Sequence, residues 1–162
     1  MTFLQRLFGP PDIGKLKAKG HIRGLVKALS YGDDESLQRA AIEALEEMSL
    51  SREYKALVGV HKLLHQKAQV ASEIDKTSEK IRRHEALLAH WSNASDYDSS
   101  QMGVGWAKMG LEEDEAKQKG LLAEAKQLDH LLEQAKVELE AAMAESKDKH
   151  FVIEAQKALG RL

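Results

Sequence analysis

From Asp12 onward the apolar positions Ile13, Leu16, Ile22, Leu25, Val26 and Leu29 fall at three- and four-residue steps with Gly20 interrupting them. That spacing predicts a short helix joined to a longer one. Tyr31 and Gly32 end the pattern, and Asp33 or Asp34 can cap the next helix. Its apolar set, Leu37, Ala40, Ala41, Ala44, Leu45 and Met48, keeps to one stripe without a miss. The alanines in that stripe permit close helix approach. Upstream, Phe3, Leu4, Leu7 and Phe8 form an apolar turn or two, which Gly9, Pro10 and Pro11 terminate. Such a piece either packs back on the chain or grips a partner.

Beyond Ser51 the period changes to seven. Leu57, Leu64 and Ala71 occupy one heptad site and Val60, Ile74, Ile81 and Leu88 the other, with Lys67 as an exception and Ser78 and Glu85 weakening the far end. A second seam places Leu121, Leu128, Ala135 and Ala142 against Ala125, Leu132, Leu139, Ser146 and Ile153. These seams predict arms over 51–92 and 111–160, each on the order of 60 Å long, paired antiparallel into a rod. Residues 93–110 read as the tip, because Gly103, Gly105 and Gly110 disfavour helix and Asp96, Asp98, Ser99 and Ser100 favour turns. The expected fold is all-α: a short helical hairpin over residues 1–50 followed by a long antiparallel coiled-coil hairpin over 51–162.

The segment from Pro11 to Met48 carries KLKAKGHIRGLVKAL, then an acidic turn, then R-A-A-x-x-A-L. In this it resembles one repeat of the HEAT-like family related to phycobilisome-lyase repeats. The resemblance covers 38 of 162 residues. It implies a helix-turn-helix unit of the kind that stacks into solenoids for binding other proteins. The chain departs from the family in having Gln38 after Leu37, where an arginine is usual, and in showing no second copy downstream. A solenoid unit needs neighbours to bury its apolar side, so a lone unit must be covered by the two arms or by another molecule.

The composition fits long helices: 43% hydrophobic, 31% charged, 5% aromatic, two prolines. With no cysteine, disulfides and thiolate metal sites are excluded. The longest apolar run, Ala56 to Val60, is far short of a membrane span, and the N-terminus lacks the features of a secretory signal, so a cytoplasmic location is expected. The net charge of −2 hides blocks of +5 over 1–32, −5 over 33–51, +3 over 52–92 and −5 over 93–162. The two arms therefore attract each other.

Chemistry is sparse. There is no cysteine nucleophile and no serine elbow, which points away from an enzyme. His61 and His65 stand four apart, a spacing that lets two imidazoles reach one zinc ion. Lys62, however, stands where a zinc-protease helix carries its glutamate, so they read as histidines beside a seam and no cofactor is expected. Gly103-Val104-Gly105 lacks the strand and the Gly-Lys-Ser/Thr of a phosphate loop. The acidic run Glu112, Glu113, Asp114 and Glu115 reads as the negative start of a helix. At the tip, Met102, Val104, Trp106 and Met109 either close over Trp91 or form a docking knob, since Trp is enriched among residues that carry binding energy. The cationic set Lys15, Lys17, Lys19, Arg23 and Lys27 offers an alternative surface for nucleic acid or anionic membrane. The leading expectation is a non-enzymatic interaction or scaffold protein, its partner another protein or a second copy of itself.

Overall fold

The computed structural model describes residues 10–31, 34–48, 50–93 and 97–161, with the backbone alone at 97–100. Phe3, Leu4, Leu7 and Phe8 lie outside them. Among the described residues there are six helices and no strand: α1 (Ile13–Ala18), α2 (Ile22–Leu29), α3 (Glu35–Glu46), α4 (Arg52–Ser92), α5 (Tyr97–Glu145) and α6 (Lys149–Leu159). The all-α expectation is met.

The ends of the short helices follow from local chemistry. Asp12 caps α1 by accepting from the Lys15 amide at 3.0 Å, and Asp34 caps α3 by accepting from the Leu37 amide at 3.0 Å. Gly20, at φ 63°, stops α1 in the left-handed conformation that glycine adopts without penalty. The Gly20 amide donates to the Lys17 carbonyl and the His21 amide to that of Leu16, both at 2.9 Å. His21 then caps α2, its Nδ1 accepting from the Gly24 amide at 3.0 Å. A side chain at position 24 would strike that imidazole, since a Cβ there would lie 2.4 Å from Nδ1.

The chain divides into two compact units, residues 1–66 with 130–162 and residues 67–129. In unit 1 the apolar faces of α2 (Leu25, Val26, Leu29) and α3 (Ala41, Ile42, Leu45) share one core with Tyr54, Leu57 and Val60 of α4, Leu139 of α5, and Phe151, Ala155 and Ala158 of α6. The apolar faces of α2 and α3 are thus covered by the roots of the two long helices and by a last helix that turns back onto α2. Tyr54 and Phe151 meet edge to face with ring centroids 5.6 Å apart.

The second seam ends early. Residues 146–148 are not helical, and Asp148 starts α6 afresh, accepting from the His150 amide at 2.9 Å, while the Asp148 amide donates to Ser146 Oγ at 3.1 Å. The heptad that ran on to Ser146 and Ile153 fails here: Ile153 is exposed and Phe151, Glu154, Ala155 and Ala158 turn inward. A Ser-Lys-Asp break with a good cap outweighs a repeat spacing.

In unit 2, α4 and α5 run antiparallel. The α4 side of the seam is Val70, Ile74, Thr77, Ile81, His84, Leu88 and Trp91, so one heptad site sits at 70, 77, 84 and 91 instead of the expected 71, 78 and 85. Between Leu64 and Val70 the step is six residues instead of seven, after which the repeat of seven resumes. Cross-helix pairs join Lys67 to Asp129 at 2.6 Å and Lys117 to Glu73 at 3.6 Å; being solvent-exposed, each contributes roughly 0–1 kcal/mol.

Candidate interaction surface

The expected tip loop over 93–110 is mostly helix, since α5 begins at Tyr97. Gly103 and Gly110 lie inside α5 because rings from α4 rest on their bare backbone. A Cβ on Gly103 would sit 2.4 Å from the Trp91 ring, and one on Gly110 would sit 2.3 Å from the His84 ring. Both pairs are seven residues apart on their own helix, and together they fix the register of the hairpin end. Gly105 faces open space.

Polar links complete this part of the seam. His84 Nε2 lies 3.3 Å from Asp114 Oδ2, and Gln118 donates to Ser78 Oγ at 2.8 Å, which itself donates to the Ile74 carbonyl at 2.8 Å. Thr77 and Asp114 are buried. Residues 112–115 are therefore mid-helix, not the start of one, and Asp114 serves the helix pair through His84.

The positions of α5 nearest α4 at its start are Gly103, Ala107 and Gly110, all small, with Val104 and Leu111 half-buried, while Met102, Trp106 and Met109 point outward. Met102, Trp106 and Met109 are 66%, 70% and 63% exposed, in a stripe at i, i+4, i+7. Beside the stripe is a groove of about 500 Å³ lined by His84, Leu87, Trp91, Met102, Gly103, Trp106 and Ala107. Trp91 lies on Gly103 while Trp106 stays open to solvent, so the two do not seal the end of the hairpin. Leu87, 45% exposed on the α4 side of the groove, was not legible as a site residue; the available signal was an apolar residue next to, and off, the seam position Leu88.

The other candidates fall in unit 1 and are largely engaged within it. Lys15 pairs with Asp12 at 3.1 Å and Lys17 with Glu47. Lys19 follows the last turn of α1. Arg23 reaches Asp148 at 3.3 Å, and Tyr54 donates to the same carboxylate at 2.9 Å. The Tyr54 hydroxyl and then the His150 amide and Arg23 hold Asp148 below the usual carboxylate range, while burial first and then the bond to Asp148 raise Tyr54. Asp148 in turn raises the Arg23 pKa further. Arg23 is thus a brace between α2 and the start of α6.

The two histidines of the zinc spacing have different surroundings. His61 is buried, and its Nε2 has no hydrogen-bond partner in the structure. Burial, reinforced by Arg161 and opposed by Glu154, lowers its pKa to about 4. Glu154 is itself buried and is engaged by Lys157 at 2.7 Å and Ser30 at 3.4 Å. Arg161 donates to the Leu29 and Ser30 carbonyls, closing the end of α2. His65 is half-buried. Among the described residues no cluster of three or more His, Asp or Glu side chains could hold a metal ion, and no helix is long and apolar enough to cross a membrane.

Comparison of the chain with protein-family models, with curated proteins and with solved structures returns no match.

Proposed function

We propose that this chain is a non-catalytic helical interaction protein that binds another polypeptide through the hairpin end of unit 2. The observation that carries this reading is the inside-out arrangement near the start of α5. Gly103, Ala107 and Gly110 face the neighbouring helix, while Met102, Trp106 and Met109 stand in solvent at 63–70% exposure. A helix that served only its own hairpin would bury its largest apolar side chains, and exposed clusters of this kind mark interaction sites. In unit 1 the α2–α3 hairpin plays the part of a HEAT-like unit whose stacking neighbours are α4, α5 and α6.

The test places a photo-crosslinking amino acid at Met102 or, as a control, at the exposed Glu124 in living cells. A discrete protein adduct at Met102 that disappears on adding Trp106→Ala supports the reading. Equal, diffuse labelling at both positions removes it. Salt-sensitive binding to nucleic acid or anionic vesicles, abolished when Lys15, Lys17 and Lys19 become Glu, would move the function to the α1 face.

A further inference from the structure

The exposed apolar stripe and the groove beside it occur on one face, and that face is self-complementary. Knob and hole are both present: Trp106 projects from the rim of a recess of about 500 Å³ that Leu87, Trp91, Met102 and Gly103 also line. The apolar patch is short. After Met109 the α5 stripe continues into Glu113, with Glu112 beside it, and before Leu87 the α4 stripe is Arg83 and Lys80, all exposed. The two walls of the groove therefore carry opposite charge at the same end.

Register makes the complementarity specific. Trp91 on Gly103 and His84 on Gly110 set Leu87 level with Trp106 and Ala107, and set Lys80 and Arg83 level with the turn that contains Glu112 and Glu113. A two-fold axis parallel to the hairpin brings α4 of one copy opposite α5 of the other at the same level. Trp106 then meets Leu87 and Trp91 of the other copy, and Lys80 and Arg83 meet its Glu112 and Glu113. The surface pairing of Arg83 with Glu79 at 3.3 Å is weak enough to exchange for this one. An antiparallel two-fold would carry Lys80 and Arg83 away from Glu112 and Glu113.

Resting on the reading of this face as a protein-binding surface, we propose that its occupant is a second copy of the chain, in a parallel, isologous four-helix contact centred on Trp106.

The experiment is sedimentation velocity of the purified full chain across concentrations up to roughly 100 µM, which spans the affinities of small interfaces. The expected result is a concentration-dependent dimer. Trp106→Ala should weaken it by 10-fold or more while leaving helicity by circular dichroism unchanged, because that side chain is 70% exposed. Arg83→Glu and Glu113→Arg should each weaken the dimer several-fold, and the two together should restore it, an outcome peculiar to the parallel arrangement. A chain that stays monomeric throughout, or a dimer indifferent to Trp106, overturns the proposal. If the chain is monomeric but Met102 crosslinks a different protein in a Trp106-dependent way, the second copy is excluded and the binding surface stands. If neither occurs, both fall.

Discussion

The two units join helices by different means. In unit 1 the contacts are filled by Leu25, Leu29, Leu45, Leu57, Leu139 and Phe151, all fully buried. Along the seam of unit 2, Val70, Ile74, Ile81, Leu88 and Leu128 alternate with Thr77, His84, Gly103, Ala107, Gly110 and Asp114, and near the hairpin end Met102, Trp106 and Met109 lie on the outside. Unit 1 is held by removing apolar surface from water. Unit 2 is held by a thinner apolar seam, supplemented near the hairpin end by rings against bare backbone and by polar links. The difference teaches that helix pairing and apolar burial are separable: a hairpin can fix its register with small and polar residues and keep its apolar ones for another surface.

The largest expected effect lies in unit 1. Phe151→Ala should cost about 3–5 kcal/mol and Leu29→Ala about 2–5 kcal/mol by cavity formation, read by urea denaturation. A loss below ~1 kcal/mol would remove the contrast between the units.

Next comes pH. The folded-state pKa of His61 is about 4 against an ordinary 6.5, so between those values the unfolded chain binds the extra proton. Stability at His61 is complete above pH 6.5 and falls on acidification by up to ~1.4 kcal/mol per unit, roughly 3 kcal/mol in all. The Glu154 carboxylate facing it softens this loss and Arg161 adds to it. Thermal melts from pH 7 to 4 should show the fall in the native chain and a flatter profile in His61→Leu; parallel profiles would refute the assignment.

Smaller effects distinguish the glycines of α5. Gly105→Ala should stabilise by ~1 kcal/mol, as expected for an open helical position. Gly103→Ala and Gly110→Ala should instead destabilise by about 1–2 kcal/mol, because the added methyl meets Trp91 or His84 and overpacking outweighs propensity. Equal gains at all three would mean that the ring contacts do not hold the register. Smallest of all, Trp106→Ala should change unfolding free energy by no more than ~0.5 kcal/mol, whatever it does to association.

Much of this was readable from residue spacing. The two short helices after Gly20, the cap at Asp34, the seven-residue repeat through Leu57, Val60, Leu128, Leu132 and Leu139, and the wetter far end near Ser78 all follow from local pattern. The failures share a cause. Gly103 and Gly110 read as helix breakers because propensity is a statement about an isolated helix, and only the facing Trp91 and His84 reveal why glycine is needed. Ser146–Asp148 read as seam because periodicity was extended past a cap. The slip from 71 to 70 is a single six-residue step, which a strict seven-residue count cannot show. Of the candidate site, Met102, Trp106 and Met109 were visible as apolar residues without an evident core, whereas Leu87 and the groove arise only when α4 and α5 are side by side. Arg23 gave no sequence sign of its tie to Asp148, 125 positions away.

Unit 1 is assembled from segments on both sides of unit 2, so that Leu45 and Leu139 share one core. During synthesis the α2–α3 hairpin leaves the ribosome long before the residues that cover it. At ~5–20 residues per second, its leucines remain without Leu139 and Phe151 for on the order of 5 to 20 s. Throughout that interval the nascent chain is a client for whatever shields apolar helices in the cell, and a stop codon anywhere before α6 would leave it one permanently.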